Sequence, residues 1–142
     1  MEYQDKQEDQ EQIRKAGFEK LWIWQEAFRL MMLISDICKT LPREERFRLR
    51  DQIERSSASV SANIAEGYST YYFNDKIKSM HVAKKESGET QNHIREMQGK
   101  KYISNTKADE FVHQYERLII GINNYIKFII EKRENIKRKG IK

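Results

Sequence analysis

Gln52-Ile-Glu-Arg-Ser-Ser-Ala-Ser-Val-Ser-Ala-Asn-Ile-Ala-Glu-Gly67 is the stretch whose spacing decides how this chain folds. Ile53, Ser56, Ser57, Val60, Ile64 and Gly67 recur at three- and four-residue steps, which lines them up along one face of a helix. Most of that face is small, so a second helix can approach it closely. Arg55, Asn63 and Glu66 interrupt it with polar groups that need partners wherever they are buried.

The same periodicity extends outward in both directions. A first helix is predicted from about Phe18 to Thr40, with Leu21, Trp24, Ala27, Phe28, Met31, Ile34, Ser35 and Cys38 inward. Trp22, Ile23, Met32 and Leu33 fall outside that stripe, more apolar surface than one packed face requires. This predicts an oligomer, because contiguous apolar surface of that extent is unusual on a monomer. Leu41-Pro42 ends the helix and starts a second one, since proline suits the first turn, where no amide donor is needed. The second helix stops near Gly67, and the aromatic-rich Tyr68-Ser-Thr-Tyr-Tyr-Phe-Asn74 leads to a third. The third spans about Asn74 to Gln98, with Ile77, Met80, Ala83, Ser87, Thr90, Ile94 and Met97 inward. A turn over Gly99 to Ile103 follows, and Ser104 or Thr106 can cap a fourth helix. Its stripe is Phe111, Tyr115, Leu118, Ile119, Ile122, Tyr125, Ile126 and Ile129, and it fades after Glu131.

Four helices joined by short loops predict an all-α, single-domain, up-down-up-down four-helix bundle over residues 18–131. Residues 1–17 read as a disordered or frayed leader, and 132–142 as a basic C-terminal tail. The 142 residues suffice for one real core, and 38% hydrophobic with 35% charged residues and a single proline fit a helix-rich soluble protein. No apolar run approaches the roughly 20 residues of a membrane span, so no membrane association is expected. The polar, acidic start carries no secretory pattern, and the lone Cys38 rules out an internal disulfide; both point to the cytoplasm. Cys38, in register with Ile34 and Leu41, reads as a small core residue.

Chemistry-bearing patterns are few. A di-iron bundle needs two Glu-x-x-His units and two more inward Glu. Glu110-Phe-Val-His113 is one such unit; Glu89 and His93 are four apart, and His81 has Lys78 three residues before it. A chance match accounts for the single copy. Cysteine and histidine pairs at zinc spacing, nucleophile-base pairs and glycine-rich phosphate loops are all missing, so neither catalytic residues, a metal nor a cofactor is expected.

Folding the second and third helices back on each other brings residue 55 opposite about residue 87. Arg55 is therefore predicted to pair with Glu86 and then Glu89, a structural ion pair whose loss on Arg55→Ala would cost about 3 kcal/mol if fully buried. The alternative is a ligand site formed by Arg55 and Glu66, which lie about 16 Å apart on one helical face. The net charge of +5 is compatible with nucleic acid. Arg43, Arg46, Arg48, Arg50, Lys84, Lys85, Lys100 and Lys101, with Lys107, are the candidate phosphate contacts, although a solvated bundle exterior would look the same.

Several of these phrases resemble those of a four-helix-bundle family encoded in the intervening sequences of bacterial 23S ribosomal RNA genes. Phe18-Glu-Lys-Leu-Trp-Ile-Trp-Gln-Glu-Ala27 is similar to its opening, Leu41-Pro42 with Glu45 to its hinge, and Gln52-Ile-Glu-Arg55 with Ser59-Val-Ser-Ala-Asn-Ile-Ala-Glu-Gly67 to its most specific motif. Ala83, Glu86, Glu89 and Thr90, with Tyr102-Ile103, look like the third-helix pattern of one branch. Ser56-Ser57 replaces a commoner Ala pair, and His93 stands where that branch often has a large aromatic. The resemblance implies a ring-shaped homopentamer without enzymatic activity. Through a distant likeness to the accessory protein of diversity-generating retroelements, it also implies association with RNA or DNA and possible binding of a protein. A protein-binding oligomeric scaffold is the alternative expectation.

Overall fold

The computed structural model describes residues 17–140. Among these there are four helices and no strand: α1 (Trp22–Cys38), α2 (Leu49–Ser69), α3 (Phe73–Gly99) and α4 (Asn105–Gly140). Single 3-10 turns, Gly17–Lys20 and Arg43–Glu45, lie before α1 and between α1 and α2. Each helix packs on the next, and α1 closes against α4, while the diagonal pairs do not meet. The packed pairs run antiparallel. Ser56 on α2 bonds Thr90 on α3, Gln91 on α3 donates to the Val112 carbonyl on α4, and Arg29 on α1 meets Gln114 on α4. Ser61 on α2 reaches the Met31 sulfur on α1 at 3.9 Å.

The predicted faces of three helices enter the core, except that Ile77 and Tyr125 are half-buried at its edge and Ile119 is half-buried outside it. Ile53, Ser56, Ser57, Val60, Ile64 and Gly67 are all buried on α2, and Met80, Ala83, Ser87, Thr90, Ile94 and Met97 on α3. On α4, Ala108 joins Phe111, Tyr115, Leu118, Ile122, Ile126 and Ile129. The buried serine and threonine hydroxyls of α2 and α3 are satisfied locally, Ser87 Oγ donating to the Ala83 carbonyl at 2.8 Å and Thr90 Oγ1 to that of Glu86 at 2.9 Å, whereas the Tyr115 hydroxyl has no partner among the described residues. Hydroxyls bonded back to their own helix occupy little space, which is why a serine-rich face can serve as core.

α1 departs from expectation. Its buried face is Ile23, Ala27, Leu30, Ile34 and Cys38, so Ile23 and Leu30 belong inside and Phe28 is exposed. The aromatic residues explain the rotation. Trp24 stacks on Phe28 at 5.0 Å, with Phe18 edge-on to Trp24 at 5.2 Å, which places a ring cluster along the helix flank. Trp22 lies across Gly121 of α4, where an added Cβ would come within 2.7 Å of its ring. Burial pushes the Cys38 thiol up to about 12, consistent with an inert core residue.

Two boundaries also differ. Pro42 starts only the short 3-10 turn, and α2 begins at Leu49, after a break at Arg48 (φ −122°, ψ −106°) that no residue spacing marks. α4 does not fade after Glu131 but continues to Gly140. No proline or glycine interrupts residues 131–139, and Lys137, Arg138 and Lys139 suit the negative end of the helix dipole. At 36 residues α4 is about 54 Å long, against about 40 Å for the 27 residues of α3. Between them, Lys101 (φ 63°) closes the end of α3 while Tyr102 N–H donates to the Met97 carbonyl at 2.9 Å. Ser104 caps α4 as predicted, accepting from Lys107 N–H at 3.1 Å. Of the leader, residues 1–16 lie outside the described residues, and Gly17 opens the first 3-10 turn.

Candidate nucleic-acid interface

The α1–α2 and α3–α4 connections lie at the same end of the bundle because helices two and three run antiparallel. An ion pair joins them: Lys100, itself exposed, brings its Nζ to 3.2 and 3.5 Å from the two oxygens of Glu45, which is 5% exposed. Removing Lys100 would leave a buried carboxylate unpaired, so this lysine is committed to the fold. Around the pair, Arg43, Arg46, Arg48 and Lys101 are exposed. Arg50 is half-buried and bonded to Glu54 at 3.2 Å.

An aromatic residue completes this end. Phe47 is 83% exposed, and the Arg46 guanidinium lies 5.3 Å from its ring centre. Both border a shallow groove of about 620 Å³ that Arg43, Arg50, Asp51 and Glu54 also line. Sequence reasoning named the arginines, placed Glu45 in the hinge without its partner, and missed Phe47. An aromatic set between two arginines was the available signal for Phe47; nothing local marked the partner of Lys100. Lys107 is exposed in the first turn of α4 at this end. Lys84 and Lys85 are not gathered here. They sit mid-way along α3, about 22 Å from its C-terminal end, and Lys85 Nζ is 3.9 Å from Glu86.

The polar set of the α2–α3 seam does not form the predicted ion pair. Arg55 is exposed and, among the described residues, has no ion-pair partner. A helix turns about 100° per residue, which carries position 55 off the face shared by Ile53, Ser56 and Ser57. Glu86 is buried, and its Oε2 has no hydrogen-bond donor. Burial raises its carboxyl above the usual range, the hydrogen bond and charge of Glu89 raise it further, and Lys85 and Arg55 oppose this less strongly. Arg55 and Glu89 line an open groove of about 490 Å³ together with Gln52, Gly88, Asn92 and His93. Asn63 is occupied locally, donating to the Ser59 carbonyl at 2.8 Å and hydroxyl at 3.0 Å. The Glu66 side chain is exposed and its backbone carbonyl accepts from Thr70 N–H at 2.9 Å.

Glu110 and His113 are both exposed, the wrong disposition for a metal held in the bundle core. Among the described residues no helix is long and apolar enough to cross a membrane.

The family model described as 23S rRNA-intervening sequence protein matches residues 19–124. A solved structure from Bacteroides thetaiotaomicron, a protein with unknown function from the S23 ribosomal protein family, is similar in fold with a TM-score of 0.69. It is 24% identical, and the match covers 74% of this chain and 95% of that one. No protein of curated function matches. The chain belongs to the 23S rRNA-intervening sequence protein family.

Proposed function

We propose that this protein is a non-enzymatic, oligomeric nucleic-acid-binding accessory protein, of the kind encoded in a ribosomal RNA intervening sequence or a similar mobile context. The observation that carries the reading is the gathering of Arg43, Arg46, Arg48 and Lys101 beside exposed Phe47 at one end of the bundle. Unpaired cations on one surface suit the phosphate backbone, and an exposed ring supplies a face on which a base can stack. The family description, which refers to 23S rRNA, agrees in kind. Cytoplasmic location and a ring-shaped homopentamer belong to the same proposal.

A salt titration of binding tests it. Affinity for an RNA hairpin should fall steeply with salt, and Arg46→Glu with Arg48→Glu should weaken binding and reduce the slope by about 1 for each phosphate no longer neutralised. Binding absent at low salt would refute the proposal. A second reading, a protein-binding scaffold, is favoured by Trp22, Phe28, Met32 and Leu33, which stand exposed along α1. It gains if those residues capture a protein while RNA binding is absent.

A further inference from the structure

The opposite end of the bundle has a different construction. The α2–α3 turn presents Tyr71 and Tyr72, which are 84% and 67% exposed and pack edge-to-face at 5.1 Å. Rings so open contribute little to folding. Among the described residues the aromatic contact of each is the other, and most of their surface stays open.

The end of α4 projects past this turn. Arg133 Nη1 donates to Asn74 Oδ1 at 2.9 Å, which fixes α4 against the first turn of α3 and leaves residues 134–140 beyond it. Residues 127–140 carry six bases, Lys127, Lys132, Arg133, Lys137, Arg138 and Lys139, against Glu131 and Glu134. Glu134 is taken up by Arg133 at 3.1 Å and Lys137 at 3.9 Å. Lys132 and Lys139 share a groove of about 420 Å³ with Phe128, Glu131, Asn135 and Ile136, and neither lysine has an ion-pair partner among the described residues. Lys132 also adjoins the turn. Burial first, and then the charge of Lys132, lower the pKa of Lys76, whose Nζ donates to the Tyr68 carbonyl at 2.8 Å. Neither Lys76 nor Lys132 is ion-paired among the described residues, and like charges so placed are an arrangement that an anion would relieve.

We infer that the Tyr71–Tyr72 turn and the projecting basic end of α4 form a second surface that takes single-stranded RNA, its bases stacking on the two tyrosines and its phosphates meeting Lys132 and Lys139. Paired bases present no free faces, so stacking on exposed rings selects unpaired strands. A membrane surface fits less well, because the projecting segment offers only Phe128 and Ile136 as large exposed apolar groups. The inference rests on the nucleic-acid reading and extends it to a separate end and a distinct form of RNA.

The test uses the full chain titrated with labelled oligouridylate and with an RNA duplex over a range of salt. Tyr71→Ala with Tyr72→Ala should lower oligouridylate affinity about tenfold or more while leaving duplex affinity and the salt slope unchanged. Tyr71→Phe with Tyr72→Phe should restore binding, since the ring is retained. Lys132→Ala with Lys139→Ala should lower the single-strand salt slope by about 0.7 for each phosphate left without its cation. All four side chains are on the surface, and unchanged circular dichroism and melting verify folding. If the tyrosine variants bind normally while Arg46→Glu with Arg48→Glu abolishes binding, this inference falls and the first proposal stands. Wild-type chain that binds no RNA at low salt overturns both. A loss of binding to anionic phosphatidylglycerol vesicles, or of self-association, with oligouridylate binding intact would give this end another role and overturn the inference.

Discussion

Between α2 and α3 the contact includes Ser56, Gly67 and Thr90, with Ser57 and Ser87 buried on the same two helices, whereas on the outside of α1 Trp22, Phe28, Met32 and Leu33 face solvent. The larger side chains are the uncovered ones. Small residues let two helix backbones close on each other. At Gly67 an added Cβ would lie 3.1 Å from Ser79 Cβ and 3.2 Å from the Lys76 carbonyl. Each seam hydroxyl finds a partner within a turn or across it, as in the 2.8 Å bond between Ser56 and Thr90. The α1 face has no such completion, and its exposed row is large for a monomer surface. One face is finished inside the chain; the other leaves large apolar groups open, and the oligomer proposed above is what would cover them.

The sharpest way to break that comparison is to remove bulk from each side. Ile64 is fully buried in the seam, so Ile64→Ala should cost about 3 kcal/mol by urea unfolding, as large-to-small core changes do. Met32, half exposed on α1, should tolerate Met32→Ala within about 0.5 kcal/mol in the isolated chain while weakening self-association measured by light scattering. A large loss of stability at Met32 in dilute monomer would erase the distinction. Glycines give a finer test. Gly67→Ala should be destabilising by about 1 kcal/mol, because overpacking of about 2 kcal/mol exceeds the gain of about 1 kcal/mol in helix propensity. Gly88, on the same seam but facing outward, has nothing within 4 Å of an added Cβ. Gly88→Ala should therefore stabilise the isolated chain by about 0.5–1 kcal/mol. If it instead disrupts an assembly, a neighbouring chain covers that groove.

How legible these regions were in the sequence follows from what holds them. The α2, α3 and α4 stripes could be read because each helix buries one face at regular spacing, with small or aliphatic residues that carry no competing preference. α1 carries apolar groups on several sides, and spacing alone cannot choose among faces that all look buriable. The observed choice was made by Trp24, Phe28 and Phe18 stacking with one another, an interaction between side chains and not a periodicity. The extended α4 was hidden for the opposite reason: a charged run lacks a core face yet continues a helix that is already nucleated. At the basic end, the arginines were evident from charge. Lys100 could not be told from its neighbours, because its partner Glu45 lies 55 residues away.

Arg55 and Glu86 are where sequence reasoning and structure part most clearly, and pH separates the two accounts. The pairing expectation held Glu86 charged beside Arg55; the structure has Arg55 exposed and the Glu86 carboxyl raised, by burial first and by Glu89 next. A carboxyl raised in the folded state binds a proton where the unfolded chain does not. Stability should therefore fall as pH rises from the ordinary glutamate range, about 4.3, through the folded value, and level off above it. Glu86→Gln places a permanently neutral donor against Glu89, so it should flatten that decline and stabilise the chain at neutral pH by about 1 kcal/mol. Arg55→Ala, at an exposed position, should change stability by no more than about 0.5 kcal/mol. Unfolding free energies of wild type and both variants across the acidic to neutral range provide the measurement. Destabilisation by Glu86→Gln together with a loss of several kcal/mol on Arg55→Ala would restore the buried ion pair, and would place the second half of it on a neighbouring chain.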